Sequence, residues 1–263
     1  MSNKYDVKAK KHLGQHFLKD EQIAKKIGDG LLNTLGYKQV LEIGPGTGAL
    51  TTHLLNRDFE TFVIEIDTES VSYLQNNFPK LDGHILERDF LKLDPKELFD
   101  APIGLSGNFP YNISTQIMFA VYQHKDMYVE VCGMFQKEVA ERIAAKPGSK
   151  VYGILSVLLQ AYFDIEYLFT VDEHVFIPPP KVKSGVIRLV RNNVKQLNCD
   201  EKFFKTVVKT SFGMRRKTIR NSLKGQWSAT DRVPEGEIWT KRPEQLGVAD
   251  FVYLTNWLQN KAE

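Results

Sequence analysis

The sequence contains no apolar run approaching the ~18 residues that a membrane-spanning helix requires, so no such helix is expected. It has only two cysteines, Cys132 and Cys199, which make no metal-ligand spacing. They read as free thiols in a reducing compartment, and a cytoplasmic location is expected. The lysine-rich start, Met1 to Lys11, has no apolar core behind it and does not read as a secretory signal. Internal repeats and low-complexity tracts are also missing, which excludes solenoids and long linkers. What is present is ordinary globular composition: 263 residues, 42% hydrophobic and 25% charged, enough for one large domain or a large and a small one.

Acidic residues are scarce in one long stretch. From Pro179 to Lys224 there are 13 Lys/Arg against Asp200 and Glu201 alone, a net +11 in a chain of net +3, so the remainder sums to −8. Lys4, Lys8, Lys10, Lys11 and Lys19 add a smaller basic arm. Such asymmetry suits a polyanionic partner, although a charge run can equally be a solvated face.

Strand and helix patterns alternate through the first part of the chain. Gln39 to Gly44 and Thr61 to Asp67 read as buried strands flanking a helix over Ala49 to Asn56. Further strands are expected at His84 to Glu87, Ile103 to Gly107 and Tyr128 to Phe135. Helices are expected over Glu69 to Asn77, Ser114 to His124 and Gln136 to Ala145. The βαβ order implies an α/β domain with a parallel sheet, taken as residues 1–190. From Arg191 to Glu263 the apolar spacing turns helical (Phe203, Phe204, Val207, Val208; Phe251, Leu254, Trp257, Leu258), which predicts a small helical domain.

Glu42-Ile43-Gly44-Pro45-Gly46-Thr47-Gly48 follows the first of these strands and opens a helix. Gly44 and Gly46 let the backbone approach a ligand. The spacing is G-x-G-x-G, not the dinucleotide fingerprint G-x-G-x-x-G, and Glu42 would repel a pyrophosphate. A cationic ligand without phosphate, such as S-adenosylmethionine, suits the loop better. Glu65 ends the next strand, where a carboxylate can accept both ribose hydroxyls. Asp89 follows the third strand and can accept from an adenine amine, with Phe90 against the ring.

Asn108-Phe109-Pro110-Tyr111 follows the fourth strand, at the carboxyl edge where open α/β sheets bind ligands. An exocyclic amine of a base is a poor nucleophile because its lone pair is delocalised. The Asn108 side-chain oxygen and the Pro110 carbonyl can hold its two hydrogens, and the Tyr111 ring can stack on the base. Catalysis is then mainly orientation and electrostatics, with no strong base required.

With these motifs in place the sequence resembles the KsgA-type small-subunit (16S) rRNA adenine dimethyltransferases along nearly its whole length. Gly14-Gln15-His16-Phe17-Leu18 looks like the family's N-terminal cofactor motif, which often has Asn where this chain has His16. Position 109 is usually Leu. Gln136 to Arg142, Pro147 to Lys150, Phe176 to Ser184, Arg215 to Thr218 and Glu244 to Leu246 are also similar to the family. The resemblance implies a Rossmann-like class I methyltransferase sheet with a small all-helical C-terminal domain that binds RNA. It implies S-adenosyl-L-methionine as cofactor, held by His16, Leu18, Gly44, Gly46, Glu65, Asp89, Phe90 and Asn108. It also implies dimethylation of N6 on two neighbouring adenosines near the 3′ end of 16S rRNA. The expected partner is 16S rRNA or an immature small ribosomal subunit, and the expected state is a monomer. Phe176 would face Tyr111 across the target base, and the pair, with Asn108 and Pro110, would form the catalytic set. Such a base must be turned out of its stack.

Three other readings compete. An enzyme of the same fold dimethylates large-subunit (23S) rRNA and confers macrolide resistance; a ribosome-assembly factor would use the fold mainly to bind RNA; an oxidoreductase would bind a dinucleotide. His12 and His16 are four apart, but Gly14 between them and the lack of a third ligand argue against a metal. The Phe212 to Lys217 cluster is expected to contact phosphates, and Trp227, Trp239 and Trp257 to pack the small domain.

Overall fold

The computed structural model describes residues 7–226 and 235–260, so Lys4 of the basic arm and Trp227 lie outside the described residues. The chain divides into two compact units, Met1–Glu141 with Ile165–Arg191 and Arg142–Asp164 with Asn192–Glu263.

The first unit is built on a sheet. Its strands are β1 (Phe17–Leu18), β2 (Gln39–Ile43), β3 (Glu60–Glu65), β4 (Ile85–Glu87), β5 (Ile103–Asn108), β6 (Tyr128–Gln136), β7 (Phe163–Val171), β8 (Phe176–Ile177) and β9 (Ser184–Arg191). Seven of them form one sheet in the order β4-β3-β2-β5-β6-β9-β7. The first five run parallel, and β9 is antiparallel to β6. Val40, Leu41, Leu105 and Val131 are fully buried, because helices cover both faces of such a sheet. Helices α1 (Glu21–Asp29), α2 (Thr51–Leu54), α3 (Thr68–Asn77), α4 (Ser114–Gln123) and α5 (Lys137–Ala144) accompany these strands. The order of β2 to β5 reverses at β2, so the ends of β2 and β5 flank a switch point where a crevice opens. Because β9 runs backwards, its first residue, Ser184, pairs with Gln136 at the end of β6. The loop before β9 therefore sits at the carboxyl edge of the parallel strands.

The N-terminal segment straps onto this edge. A turn at Lys11–Leu13 ends at Gly14, whose φ of 66° is the left-handed conformation that favours glycine. β1 then pairs antiparallel with β8, Leu18 opposite Phe176. Asp20 caps α1 by accepting the amides of Gln22 and Ile23. Ala24 and Ile27 on that helix are fully buried in a core that also holds Leu18, Val40 and Phe176.

The second unit contains α6 (Ile154–Gln160), α7 (Glu201–Gly213), α8 (Ile219–Ser222), α9 (Glu237–Thr240) and α10 (Val248–Gln259). Phe212 lies between Tyr152 and Phe251, at ring distances of 6.2 and 6.0 Å. Trp239, 1% exposed, meets Trp257 edge-on at 4.6 Å. Residues 142–164, which the sequence pattern groups with the α/β part, fall in this unit. Their helix α6 is apolar almost throughout and packs against α7 and α10. No helix among the described residues is long and apolar enough to cross a membrane.

Candidate active site

A cavity opens at the carboxyl edge of the first unit, lined by 13–18, the glycine loop, the ends of β3 and β5 and the turn after β4. Gly44 and Gly46 have φ of 64° and 54°. A Cβ on Gly46 would lie 2.8 Å from the Phe17 ring, so the strap closes directly onto the loop. Glu65 is 5% exposed. Its Oε1 accepts the amides of Ile66 and Asp67 at 2.8 and 2.9 Å, and its Oε2 accepts that of Gly46 at 3.3 Å. Burial pushes the Glu65 carboxyl above its usual range, and these three amides oppose that shift without cancelling it. Oε1 thereby uses both of its lone pairs, and Oε2 keeps one for a further donor.

Glu42 is 1% exposed and accepts the Thr51 hydroxyl at 2.6 Å. Burial pushes its carboxyl up to about 8, with Thr51 opposing and Glu65 reinforcing the shift. A buried acid of this kind accommodates a cation and disfavours a phosphate. Asp89 accepts the Leu91 amide at 3.0 Å and stands at the rim. Phe90 lines the cavity, but its ring is 5% exposed and packs 5.9 Å from Tyr128. The apolar side chains exposed at this end are Ile66 (54%) and Leu91 (38%), both lining the cavity and neither signalled by the sequence.

Asn108 ends β5 and donates its Nδ2 to the His16 carbonyl at 2.8 Å. A carbonyl only accepts, so this bond fixes the amide and leaves Asn108 Oδ1 as the acceptor. The Pro110 carbonyl accepts the Ile113 amide at 3.2 Å, which uses one of its two lone pairs. Tyr111 Oη and Ser184 Oγ share a 2.5 Å hydrogen bond. Burial raises the Tyr111 hydroxyl's pKa, with the Ser184 bond opposing. The His16 ring lies 5.4 Å from that of Tyr111, and its Nδ1 donates to the Pro178 carbonyl at 2.8 Å. Phe109 is fully buried, 4.7 Å from Phe135. It fits because its neighbours on β5 and β6 are Gly107 and Gly133, where a Cβ would come within 3.0 and 2.3 Å of its ring.

The cavity thus gathers His16, Leu18, Gly44, Gly46, Glu65, Asp89, Phe90, Asn108, Pro110 and Tyr111, from segments spread over nearly 100 residues. Phe176 is not among its lining residues. Contrary to expectation its ring is 1% exposed, held in the core by the β1–β8 pairing opposite Leu18. Sequence reasoning also missed the clasp at the strap's start. Lys10 pairs with Asp67, and Gln15 Nε2 donates to Asp67 at 3.1 Å. Burial pushes Asp67 up, but hydrogen bonds from Lys10, Gln15 and Ser70 outweigh it and hold the carboxyl low.

The basic run is less uniform than its sequence suggests. Arg188 pairs with Glu166, Arg191 with Asp126 and Lys183 with Asp172, all in the first unit. In the second unit Arg215 donates to the Lys150 carbonyl at 2.6 Å and lines a shallow depression with Lys150, Arg242 and Glu244. Arg216, Lys217 and Met214 of the same cluster are exposed.

Buried acids at the ends of β2 and β3, a backbone loop open to a ligand and an Asn-x-Pro-Tyr turn beside them fit S-adenosylmethionine. With this sheet order they define a class I methyltransferase dependent on that cofactor. The comparisons with known proteins agree. The family model "Ribosomal RNA adenine dimethylase" matches residues 6–241. A small-subunit rRNA methyltransferase A of Flavobacterium johnsoniae is 58% identical over 96% of this chain and 97% of its own. That of Bacteroides thetaiotaomicron is 56% identical over 96% and 95%. Among solved structures, a dimethyladenosine transferase of Plasmodium falciparum superposes with a TM-score of 0.76 at 25% identity, covering 94% of this chain and 98% of its own. The 23S rRNA methyltransferase ErmE gives 0.66 at 25% identity over 91% and 99%. The chain belongs to the ribosomal RNA adenine dimethylase family.

Proposed function

We propose that this enzyme transfers methyl groups to N6 of two adjacent adenosines near the 3′ end of 16S rRNA, within a maturing small ribosomal subunit. The observation that carries the reading is the fixed Asn108 amide, whose Oδ1 is left to accept an amine hydrogen at the carboxyl edge of β5. S-adenosylmethionine, when bound, supplies an electrophilic methyl group. Glu65 and Asp89 would accept hydrogen bonds from its ribose and adenine. Gly44 and Gly46 would let the loop backbone approach it, and His16 and Leu18 on the strap would help to hold it. Asn108 Oδ1 and the second lone pair of the Pro110 carbonyl hold the two amine hydrogens and turn the nitrogen lone pair towards the methyl group. Tyr111, pinned by Ser184 and His16, sets the plane of the base. Exposed Arg216 and Lys217, with Lys150 and Arg242, supply phosphate contacts.

The small-subunit reading is favoured over the large-subunit one by the Pro179-Pro180-Lys181-Val182-Lys183-Ser184 segment, the Arg215 to Thr218 cluster and the names of the relatives above 50% identity. Mapping dimethyladenosine in both rRNAs of a deletion strain tests it. The marks are expected to vanish from 16S rRNA alone, and loss from 23S rRNA would replace the proposal with its rival.

A further inference from the structure

The loop between β8 and β9 has chemistry that methyl transfer itself does not use. It is tethered at both ends to cavity residues: Pro178 through its carbonyl to the His16 ring, and Ser184 through its hydroxyl to Tyr111. The Lys183 carbonyl accepts the Lys137 amide at 2.9 Å, a third anchor at the start of α5. Pro178, Pro179 and Pro180 stiffen it further, since each fixes φ and removes an amide. On this rigid loop Val182 is 46% exposed and Ile177 38% exposed, and Lys181 is exposed beside Val182. A single exposed valine is ordinary. An exposed, β-branched valine between two lysines, on a stiff loop at the edge that holds the reaction centre, is placed to push on a nucleic acid. Lys183 already pairs with Asp172, which leaves Lys181 as the loop's cation for a phosphate.

An adenine that reaches Asn108 must leave its stack, and the gap it leaves is unfavourable unless something fills it. Proteins that unstack bases commonly insert an apolar side chain at the step they open. We propose that the 177–183 loop meets the RNA strand beside the extruded adenine, with Val182 entering the vacated gap and Lys181 on a neighbouring phosphate. This rests on the reading that the substrate is an adenine in structured RNA. It assigns to the loop the task of holding the base out, separate from orienting its amine.

The test uses the full chain and small-subunit particles that lack the methyl marks, with 2-aminopurine at one target position as the unstacking probe. Wild-type protein with S-adenosylhomocysteine is expected to raise the probe's fluorescence. Val182→Ala is expected to lose most of that rise and about ten-fold in kcat on unmodified particles. It should keep its thermal midpoint and its S-adenosylmethionine affinity. Val182→Leu is expected to restore both signals, because any apolar side chain of sufficient size can fill the gap. Val182→Thr keeps the side chain's shape, covers the case in which Val182→Ala fails to fold, and is expected to be impaired as well. Lys181→Ala is expected to weaken particle binding and lower the salt slope by about one. Wild-type fluorescence and kcat in both Val182→Ala and Val182→Thr would overturn the proposal. So would a Val182→Leu variant as impaired as Val182→Ala. If wild-type protein labels no adenine in the particles, the functional reading fails; if it does and these variants behave as wild type, only the loop assignment fails.

Discussion

The two ends of the cavity, which we assign to the cofactor and to the target base, are made from different materials. At the cofactor end the ligand surface is backbone and buried carboxylates: Gly44, Gly46, Glu42 and Glu65, all within 25 residues and all at the ends of adjacent strands β2 and β3. At the base end the surface is side chains from distant segments. Asn108 leans on His16, His16 on Pro178, and Tyr111 on Ser184, through bonds spanning 92, 162 and 73 residues. The first end is specified by local strand-and-turn geometry. The second exists only once the whole first unit is folded, and its precision depends on a short chain of side-chain hydrogen bonds.

Substitutions should separate the ends. The largest effect is expected for Asn108→Ala, which removes the proposed amine acceptor. Methyl transfer should fall by at least about 100-fold while particle binding stays close to wild type, as filter binding and single-turnover labelling would report. Gly46→Ala comes next. Its φ of 54° and the 2.8 Å approach to Phe17 leave no room for a methyl, so cofactor affinity should drop by about ten-fold or more in calorimetry, without loss of RNA binding. Such a drop at Asn108→Ala but not at Gly46→Ala would undo the division.

Glu42 gives a pH test of the cofactor end. A cationic ligand prefers the ionised carboxylate, and this group titrates at about 8 in the folded protein. Cofactor binding at pH 7 should therefore release protons, and affinity should rise with pH up to about 8. Glu42→Gln should flatten both, as calorimetry in buffers of different ionisation enthalpy would show. The same shift bears on stability. The folded pKa lies above the unfolded one, so folding binds a proton between about 4.5 and 8 and the protein loses stability as pH rises through that window. Glu42→Gln should thus gain more in thermal midpoint over wild type at pH 8 than at pH 5.

Smaller effects are expected at the base end's supports. Ser184→Ala removes one hydrogen bond from Tyr111 and should lower kcat by about three- to five-fold with cofactor affinity unchanged. Combined with Tyr111→Phe it should cost no more than either change alone. Phe109→Leu should be the mildest. It leaves a space beside Gly107 and Gly133 worth about 1–2 kcal/mol of stability in denaturant titration, with kcat within about two-fold of wild type.

The same contrast explains what the sequence reveals. β2 to β6 and α3 to α5 are legible because buried parallel strands and helices carry their periodicity locally. The glycine loop, Glu65 and the Asn108 turn are legible because their chemistry is contiguous. Residues 142–164 are grouped with the wrong neighbours because α6 is apolar on most of its surface, which conceals the partner it packs against. Phe176 belongs to a motif, yet β8 turns its ring into the core, a consequence of pairing with a two-residue strand 158 positions earlier. Ser184, the Lys10–Asp67 clasp and the Gly133 recess for Phe109 depend on contacts across the fold and leave no local signal.

The most direct measurement is transfer of labelled methyl groups from S-adenosylmethionine to small-subunit particles lacking these marks, followed by mapping of the label. The account expects N6,N6-dimethyladenosine at two adjacent positions near the 3′ end of 16S rRNA, absent with Asn108→Ala. Label on another base, or in large-subunit rRNA only, would contradict it.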